Sequence, residues 1–454
     1  MQSPKQLAEG NITRLIIHFS GPAIIGMLVM SIYNVVDRIY IGRGVGALGL
    51  AGLTVGFPIM LLIMASTMLV GVGATALISL RLGEQKVDEA EQIMANAFVL
   101  LLVIAIMLTI VGLTFLAPLL RLFGASENVL PYAYSYMRII LLGTVFQTIS
   151  FGANNFIRAE GNPKTAMITM LIGAIINIVL DPIMIFVFKF GVAGAALATI
   201  FSQAMSMTWV LTYFLSGRGH LKIRPAYFKL RFSLVKIIVS MGSPVFFQQT
   251  VSSLVIVMLN NSLLAYGGDL AISAHGVIHS ILTLLMMPIF GLSQGLQPII
   301  GYNYGAKKYG RVKKALFVAI LFASGIALLG YLGVVLFPER LVQLFSEDVE
   351  LVTLGAHALR LFMALLPILG FAIIGANYFQ AVGKPKQALF LNLSRQIFFF
   401  LPTLLILPRY LGLNGIWLVP PVADVLSAMV TGIAVYREVR YLGKLEQLGD
   451  TDSG

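Results

Sequence analysis

Cysteine is absent from the chain. That removes disulfides, thiolate nucleophiles and zinc–thiolate centres, and leaves the compartment open. Charge is scarce as well. Only 11% of the 454 residues are Asp, Glu, Lys or Arg, where a soluble domain carries about 25%. No cleavage-site pattern follows a short apolar core at the N-terminus, so no removable signal peptide is expected. What is present is apolar: 58% hydrophobic residues and a mean hydropathy of +0.91. A polytopic membrane protein follows, and a soluble enzyme does not fit. The net charge of +12 does not indicate nucleic-acid binding. The basic residues sit in short loops between apolar runs, where they orient a chain in a membrane.

The runs near the ~20-residue length that a bilayer requires number twelve. They are expected near 14–40, 47–80, 93–122, 130–157, 165–188, 192–215, 234–266, 271–303, 313–337, 351–380, 387–408 and 413–436. Arg218, Lys222, Arg224, Lys229, Arg231 and Lys236 lie between the sixth and seventh runs. Lys307, Lys308, Arg311, Lys313 and Lys314 follow the eighth. Lys384, Lys386, Arg395, Arg437, Arg440 and Lys444 fall on the same side if the spans alternate. The opposite loops are poor in base: Asp269 after the seventh run, then Glu339, Arg340, Glu347, Asp348 and Glu350 after the ninth. Both termini are therefore expected to be cytoplasmic.

The two halves repeat at an offset of about 222 residues. Phe151-Gly-Ala-Asn154 returns as Ile374-Gly-Ala-Asn377, and Gly161-Asn-Pro-Lys164 as Gly383-Lys-Pro-Lys386. Pro182 is matched by Pro402, and the Gly191/Gly194 pair by Gly412/Gly415. Six spans per unit is an even number, so both copies insert the same way up. The expected fold is an all-α integral membrane protein with twelve transmembrane helices. They form two pseudo-symmetric six-helix bundles, a parallel repeat around a central cavity. The domain expectation is a first bundle over 1–216, a basic linker over 217–236 and a second bundle over 237–454.

Within these apolar runs, polar residues stand out. Asn177 and Asp181 are four apart and share a helix face. Pro182 follows, and its ring presses on the carbonyl of Ile178. A carboxylate in hydrocarbon costs roughly 3 kcal/mol or more and usually marks an ion or substrate path. By the repeat, Asp181 aligns with Leu401 and Asn177 with Ile397, so the fold itself requires no acid there. Asp181 is read as exchanging a proton or small cation against a cargo. Asp37 is a second intramembrane acid, on a face with Asn34 and near Tyr33 and Tyr40. Tyr136, Asn154, Asn155 and Thr199 are further polar groups of the first half. The second half offers Gln248, Gln249, Asn260, Asn261, His275, His279, Gln294, Gln297 and Asp424. His275 is a residue whose charge can switch near neutral pH. Met60, Met64 and Met68 form an i, i+4, i+8 stripe that suits a surface repacking around varied ligands.

The whole chain resembles the multidrug and toxic compound extrusion transporters, bacterial and archaeal branch. The likeness is carried by Gly21-Pro22, Tyr33-Asn-Val-Val-Asp37, Gly71–Gly83 ending in Arg81-Leu-Gly83, Phe151–Lys164 and Asn177–Pro182. Gly191–Gly194, Gln294–Pro298 and Gly301–Gly305 add to it. The resemblance implies secondary active efflux of organic cations and xenobiotics, exchanged for H⁺ or Na⁺ by alternating access. It implies ion coupling at Asp37 and Asp181, with Asn177, Asn154, Thr199 and Tyr136 around them. A Na⁺ would sit at Asp37, Asp181, Asn177 and Thr199. Other members of the family carry a Glu in the seventh span, where this chain has Gln248 and Gln249. Asn34, Tyr33, Met60, Met64, Met68, Gln248, Gln249, His275 and Gln294 are candidates for the cargo path. No cofactor beyond the coupling ion, no enzymatic activity and no nucleic-acid partner are expected. The partners expected are small cationic drugs and the lipid bilayer, for a monomer in a prokaryotic inner membrane.

Two rivals differ in kind. A flippase or exporter of another amphipathic cargo, such as a lipid-linked precursor, calls for intramembrane Arg or Lys, and Arg138 and Arg360 are the only candidates near spans. An intramembrane aspartyl protease needs Gly just before one Asp, whereas Leu180 and Val36 precede Asp181 and Asp37.

Overall fold

Apolar runs in a solvent without hydrogen-bond partners must satisfy their backbone internally, and helices do so. The computed structural model describes residues 7, 9–217, 219–345 and 348–451, and among them there is no strand. Arg218 and Glu347 of the charge census lie outside the described residues, as do the side chains of Arg38 and Asp269. The helices of the first half are α1 (Ile12–Gly44), α2 (Ala47–Gly83), α3 (Val87–Thr114), α4 (Leu116–Leu122), α5 (Leu130–Leu142), α6 (Thr144–Ala159), α7 (Pro163–Pro182) and α8 (Gly191–Leu215). The second half has α9 (Phe232–Gly268), α10 (Leu270–Gly305), α11 (Tyr309–Leu336), α12 (Pro338–Gln343), α13 (Val349–Phe362), α14 (Leu366–Ala381), α15 (Pro385–Leu393) and α16 (Leu401–Thr451).

Nine stretches among the described residues are long and apolar enough to cross a membrane singly. Two bent pairs, α5–α6 at 55° and α13–α14 at 49°, add two more. The stretch from Pro385 to Gln447 is broken at Gly412, whose φ is 57°, so it supplies two spans. The total is the twelve that the hydropathy pattern predicts. The third run, expected to reach residue 122, instead closes at Thr114 and is followed by the short α4.

The repeat is visible in backbone geometry. Gly191 and Gly412 both have φ of +57°, a left-handed turn that glycine adopts without strain. Three residues on, a Cβ on Gly194 would lie 2.8 Å from the Met184 carbonyl oxygen, and one on Gly415 would lie 2.4 Å from that of Leu407. Each copy thus turns on one glycine and packs against the preceding span on the next. Below Pro182 the helix widens into a π-turn, Ile183–Val187, closed by Phe188 N–H donating to Ile183 C=O at 3.0 Å. The backbone thus widens after Pro182, which itself has no N–H to offer the Ile178 carbonyl. In the second copy the π-turn is Ser394–Phe400 and precedes Pro402.

The chain divides into two compact units. One takes Ile25–Phe246, and the other takes Gly10–Ile24 with Phe247 onward. Helices α1 and α9, equivalent in the repeat, are each shared between the two. In the first unit α2 and α9 touch backbone to backbone. A Cβ on Gly242 would fall 1.7 Å from the Leu69 carbonyl oxygen, and one on Gly73 would fall 2.3 Å from that of Ile238. Small residues permit this approach, a common device where helices pack in lipid.

The basic linker is helical from Phe232 onward; ahead of that it is strapped to the first unit. Glu160 Oε2 accepts from His220 N–H at 3.0 Å and Leu221 N–H at 3.1 Å. Glu91 accepts from Lys222 N–H at 3.0 Å and pairs with Arg224 at 2.7 Å. Asn96 accepts from Arg231 N–H at 2.8 Å and donates to Tyr227 C=O at 3.2 Å. Burial pushes the Glu160 carboxyl up to about 7, against the opposing pull of Tyr213 and the two backbone donors. A carboxyl raised in the docked strap binds its proton more tightly there than when released. Its contribution is therefore full below its ordinary value of 4.5 and is lost as pH rises through about 7. Hydrogen exchange at the His220 and Leu221 amides is expected to quicken from pH 6 to pH 8, after correction for intrinsic exchange. Glu160→Gln should flatten that dependence. A corrected rate independent of pH in the wild type would contradict the assignment.

Candidate functional site

The polar residues of the first half converge from four helices of one unit. Asn162 caps α7, accepting from Thr165 N–H at 3.2 Å, and Pro163 opens its first turn. This start sets the phase that turns Asn177 and Asp181 inward, where they are 1% and 0% exposed. Their four-residue spacing closes as expected, with Asn177 Nδ2 donating to Asp181 Oδ1 at 3.2 Å. The same amide donates to Thr199 Oγ1 on α8 at 3.4 Å. Tyr136 of α5 is buried and hydrogen-bonds Thr199. Asp37 of α1, 8% exposed, is close enough to Asp181 for the two carboxyls to act on one another electrostatically. Tyr33 bonds the Asn34 side chain and sits in the field of both acids.

Two features make this cluster chemical rather than structural. Two neighbouring buried carboxyls repel one another when both are charged, which favours a proton or a cation at the pair. No Lys or Arg pairs with Asp181 among the described residues. In addition, Asp181 Oδ2 and Asn177 Oδ1 are buried with no partner. Buried acceptors left unsatisfied cost about 1–3 kcal/mol each. A proton or a small hard cation held among Asp37, Asp181, Asn177 and Thr199 would relieve both.

Other candidates are placed differently. Asn154 of α6 is buried with Oδ1 unpartnered and makes no hydrogen bond to the cluster. Asn34 is exposed and donates to the Met30 carbonyl at 2.7 Å. Met60, Met64 and Met68 are all half-buried along one stripe of α2. Gln248, Gln249, His275 and Gln294 belong to the second unit and form no hydrogen bond with each other among the described residues. His275 is buried with its ring centroid 6.1 Å from that of His279 and 5.8 Å from that of Phe362.

One sequence expectation is corrected. Arg138 and Arg360 are not the only arginines near spans: Arg395, grouped in the census with the cations of the basic side although it falls inside the expected run 387–408, lies in the π-turn that follows α15. Its Nε bonds Asp424 Oδ1 of the twelfth span at 2.6 Å. The alternating-loop rule missed it because the pairing neutralises a charge that would otherwise be driven to the interface. The signal was available in its distance of ten residues from Pro385. Arg158 was also missed: it is buried in α6 and bonds Asn155.

Comparison with known proteins agrees with the geometry. The family described as MatE matches the chain twice, over 22–183 and 244–404, at the spacing of the repeat. A multidrug export protein, MepA, from Staphylococcus haemolyticus (strain JCSC1435) is 29% identical over 428 residues, 94% of each chain. The solved structure of the MATE multidrug transporter DinF-BH is 40% identical. It covers 93% of this chain and 95% of its own, at a TM-score of 0.87. An outward-facing multidrug resistance MATE family transporter of the MOP superfamily is 27% identical, covering 97% and 99%, at 0.93. With a family match in both halves, and structures that follow it over nearly its whole length, the chain belongs to the MatE family of multidrug transporters.

Proposed function

We propose that the protein is a secondary active antiporter that exports organic cations and xenobiotics in exchange for H⁺ or Na⁺. The observation that carries this is the buried pair Asp37–Asp181, in which Asp181 has no basic partner among the described residues and is flanked by unsatisfied oxygens of its own and of Asn177. With the pair ionised, the cluster favours water or a cationic cargo. With the pair neutralised, the polar face can close, and the wide backbone turn after Pro182 gives α7 a place to bend. Ion and cargo need not touch, because binding of each biases the same two-state equilibrium. The two repeats would then alternate access to the two sides. The expected setting is a prokaryotic inner membrane, a monomer, and both termini cytoplasmic by the basic-loop rule. Tyr136 joins the site through Thr199, and Asn154 lies outside the cluster's hydrogen bonds. The methionine stripe of the first unit, and separately the amides of the second, are the candidates for cargo contact.

The test is uptake of a fluorescent organic cation into inside-out vesicles, with a pH gradient and a Na⁺ gradient imposed separately. One gradient should drive accumulation and its collapse should abolish it. Uptake indifferent to both gradients would count against antiport.

A further inference from the structure

The second unit contains a polar centre that the acid pair does not explain. It draws on three spans: Ser252 of α9, the segment Asn392–Gln396 at the end of α15 and its π-turn, and Asp424 of α16. Arg395 Nε bonds Asp424 Oδ1 at 2.6 Å, and Gln396 Nε2 donates to Ser252 Oγ at 2.6 Å. Asp424, Gln396 and Ser394 are 5%, 7% and 1% exposed. Arg395 lies ten residues beyond Pro385, on the order of 15 Å along a helix. That is about half of a bilayer core, farther than an arginine side chain reaches to an interface. A guanidinium at such depth faces protein or a water-filled path.

The centre is unsaturated. Arg395 bonds Asp424 through Nε alone, and no other hydrogen bond or ion pair engages it among the described residues. Its side chain is 29% exposed whereas that of Asp424 is 7% exposed. The ion pair is thus open on the arginine side. Beside it, Gln396 Oε1 and Asn392 Nδ2 are buried without partners. The aligned positions in the first half, Ile175, Ile176 and Ile172, are apolar, so the fold does not require this cluster. A guanidinium with its two terminal nitrogens unengaged is a fork shaped for an oxyanion, which it holds by two parallel bonds. Asn392 Nδ2 stands ready as a further donor.

We propose that Arg395, with Asn392, binds the oxyanion of an amphipathic cargo, a carboxylate or phosphate, in the second repeat. The first repeat handles positive charge and the second negative charge, which extends the cargo class from cations to zwitterions. This rests on the efflux reading above, and the test separates the two.

Binding is measured by fluorescence anisotropy with the full chain in nanodiscs, using two rhodamines on one xanthene ring system. One is a cationic ester and the other the free acid. Dihexanoyl phosphatidic acid, read by isothermal calorimetry, tests the lipid source. Arg395→Gln with Asp424→Asn leaves no orphaned charge. It should weaken the acid dye or the phosphate tenfold or more while the ester changes less than twofold. The ligand that depends on Arg395 names the source. Arg395→Lys keeps the ion pair but loses the fork, and should give a smaller loss of the same ligand if the double variant does not fold. The assignment is overturned if neither oxyanion depends on Arg395, or if ester and oxyanion weaken together. Failure of wild type to bind the ester at all would instead remove the cationic-cargo reading.

Discussion

Asp181→Asn is expected to reduce the accumulation ratio of a cationic cargo in energised vesicles to about 1, the value of an uncoupled leak. The amide keeps the size of the carboxyl and can still meet Asn177, 3.2 Å away in the wild type. It removes the charge that ion binding must neutralise, so the fold survives while the two states lose their difference in ion affinity. Asp181 is fully buried, and replacing an uncompensated acid by an amide should leave thermal stability equal or higher. The measurement is therefore paired: uptake, and melting of the purified variant. Normal uptake with Asp181→Asn would remove this residue from coupling. Lost uptake with a collapsed melting temperature would make its role structural.

The second large effect is on stability. Gly242→Val should lower stability by about 3 kcal/mol and reduce the yield of folded protein. The added Cβ would meet the Leu69 carbonyl oxygen at 1.7 Å, so α2 and α9 must move apart. Rotamer adjustment offers no relief, because the obstacle is backbone. Gly325→Val in α11 is the control: a Cβ there meets nothing within 4 Å, and since valine is a better helix former than glycine, stability should be unchanged or slightly higher. Comparable losses in the two variants would mean that close backbone approach is not what holds α2 against α9.

Much of the architecture is legible in the sequence because the bilayer imposes it. Span lengths, the duplicated turns at Gly161-Asn-Pro-Lys164 and Gly383-Lys-Pro-Lys386, and the Gly191/Gly412 pair follow from local rules. The Asn177–Asp181 contact follows from helical periodicity alone. The approach of Asp37 to Asp181 does not: it joins α1 to α7 across more than a hundred residues, and no spacing encodes it. The resemblance to known transporters implies the pair, and the packing of the first unit brings it together. Arg395 was grouped with the loop cations, although inside the expected run 387–408, for a physical reason. Loop charge rules treat each cation singly, whereas a cation matched by Asp424 on the next span remains inside. The linker strap was hidden in the same way. Glu91 and Glu160 look like loop acids until the backbone donors of 220–222 are found on them.

The most direct test of the acid-pair account is equilibrium binding of a fluorescent cationic cargo to the purified protein, from pH 5 to pH 9, at low and high Na⁺. Affinity in the wild type should fall as H⁺ or Na⁺ rises, and should be flat in the Asp37→Asn/Asp181→Asn double variant. An equal ion dependence in that double variant would contradict the account.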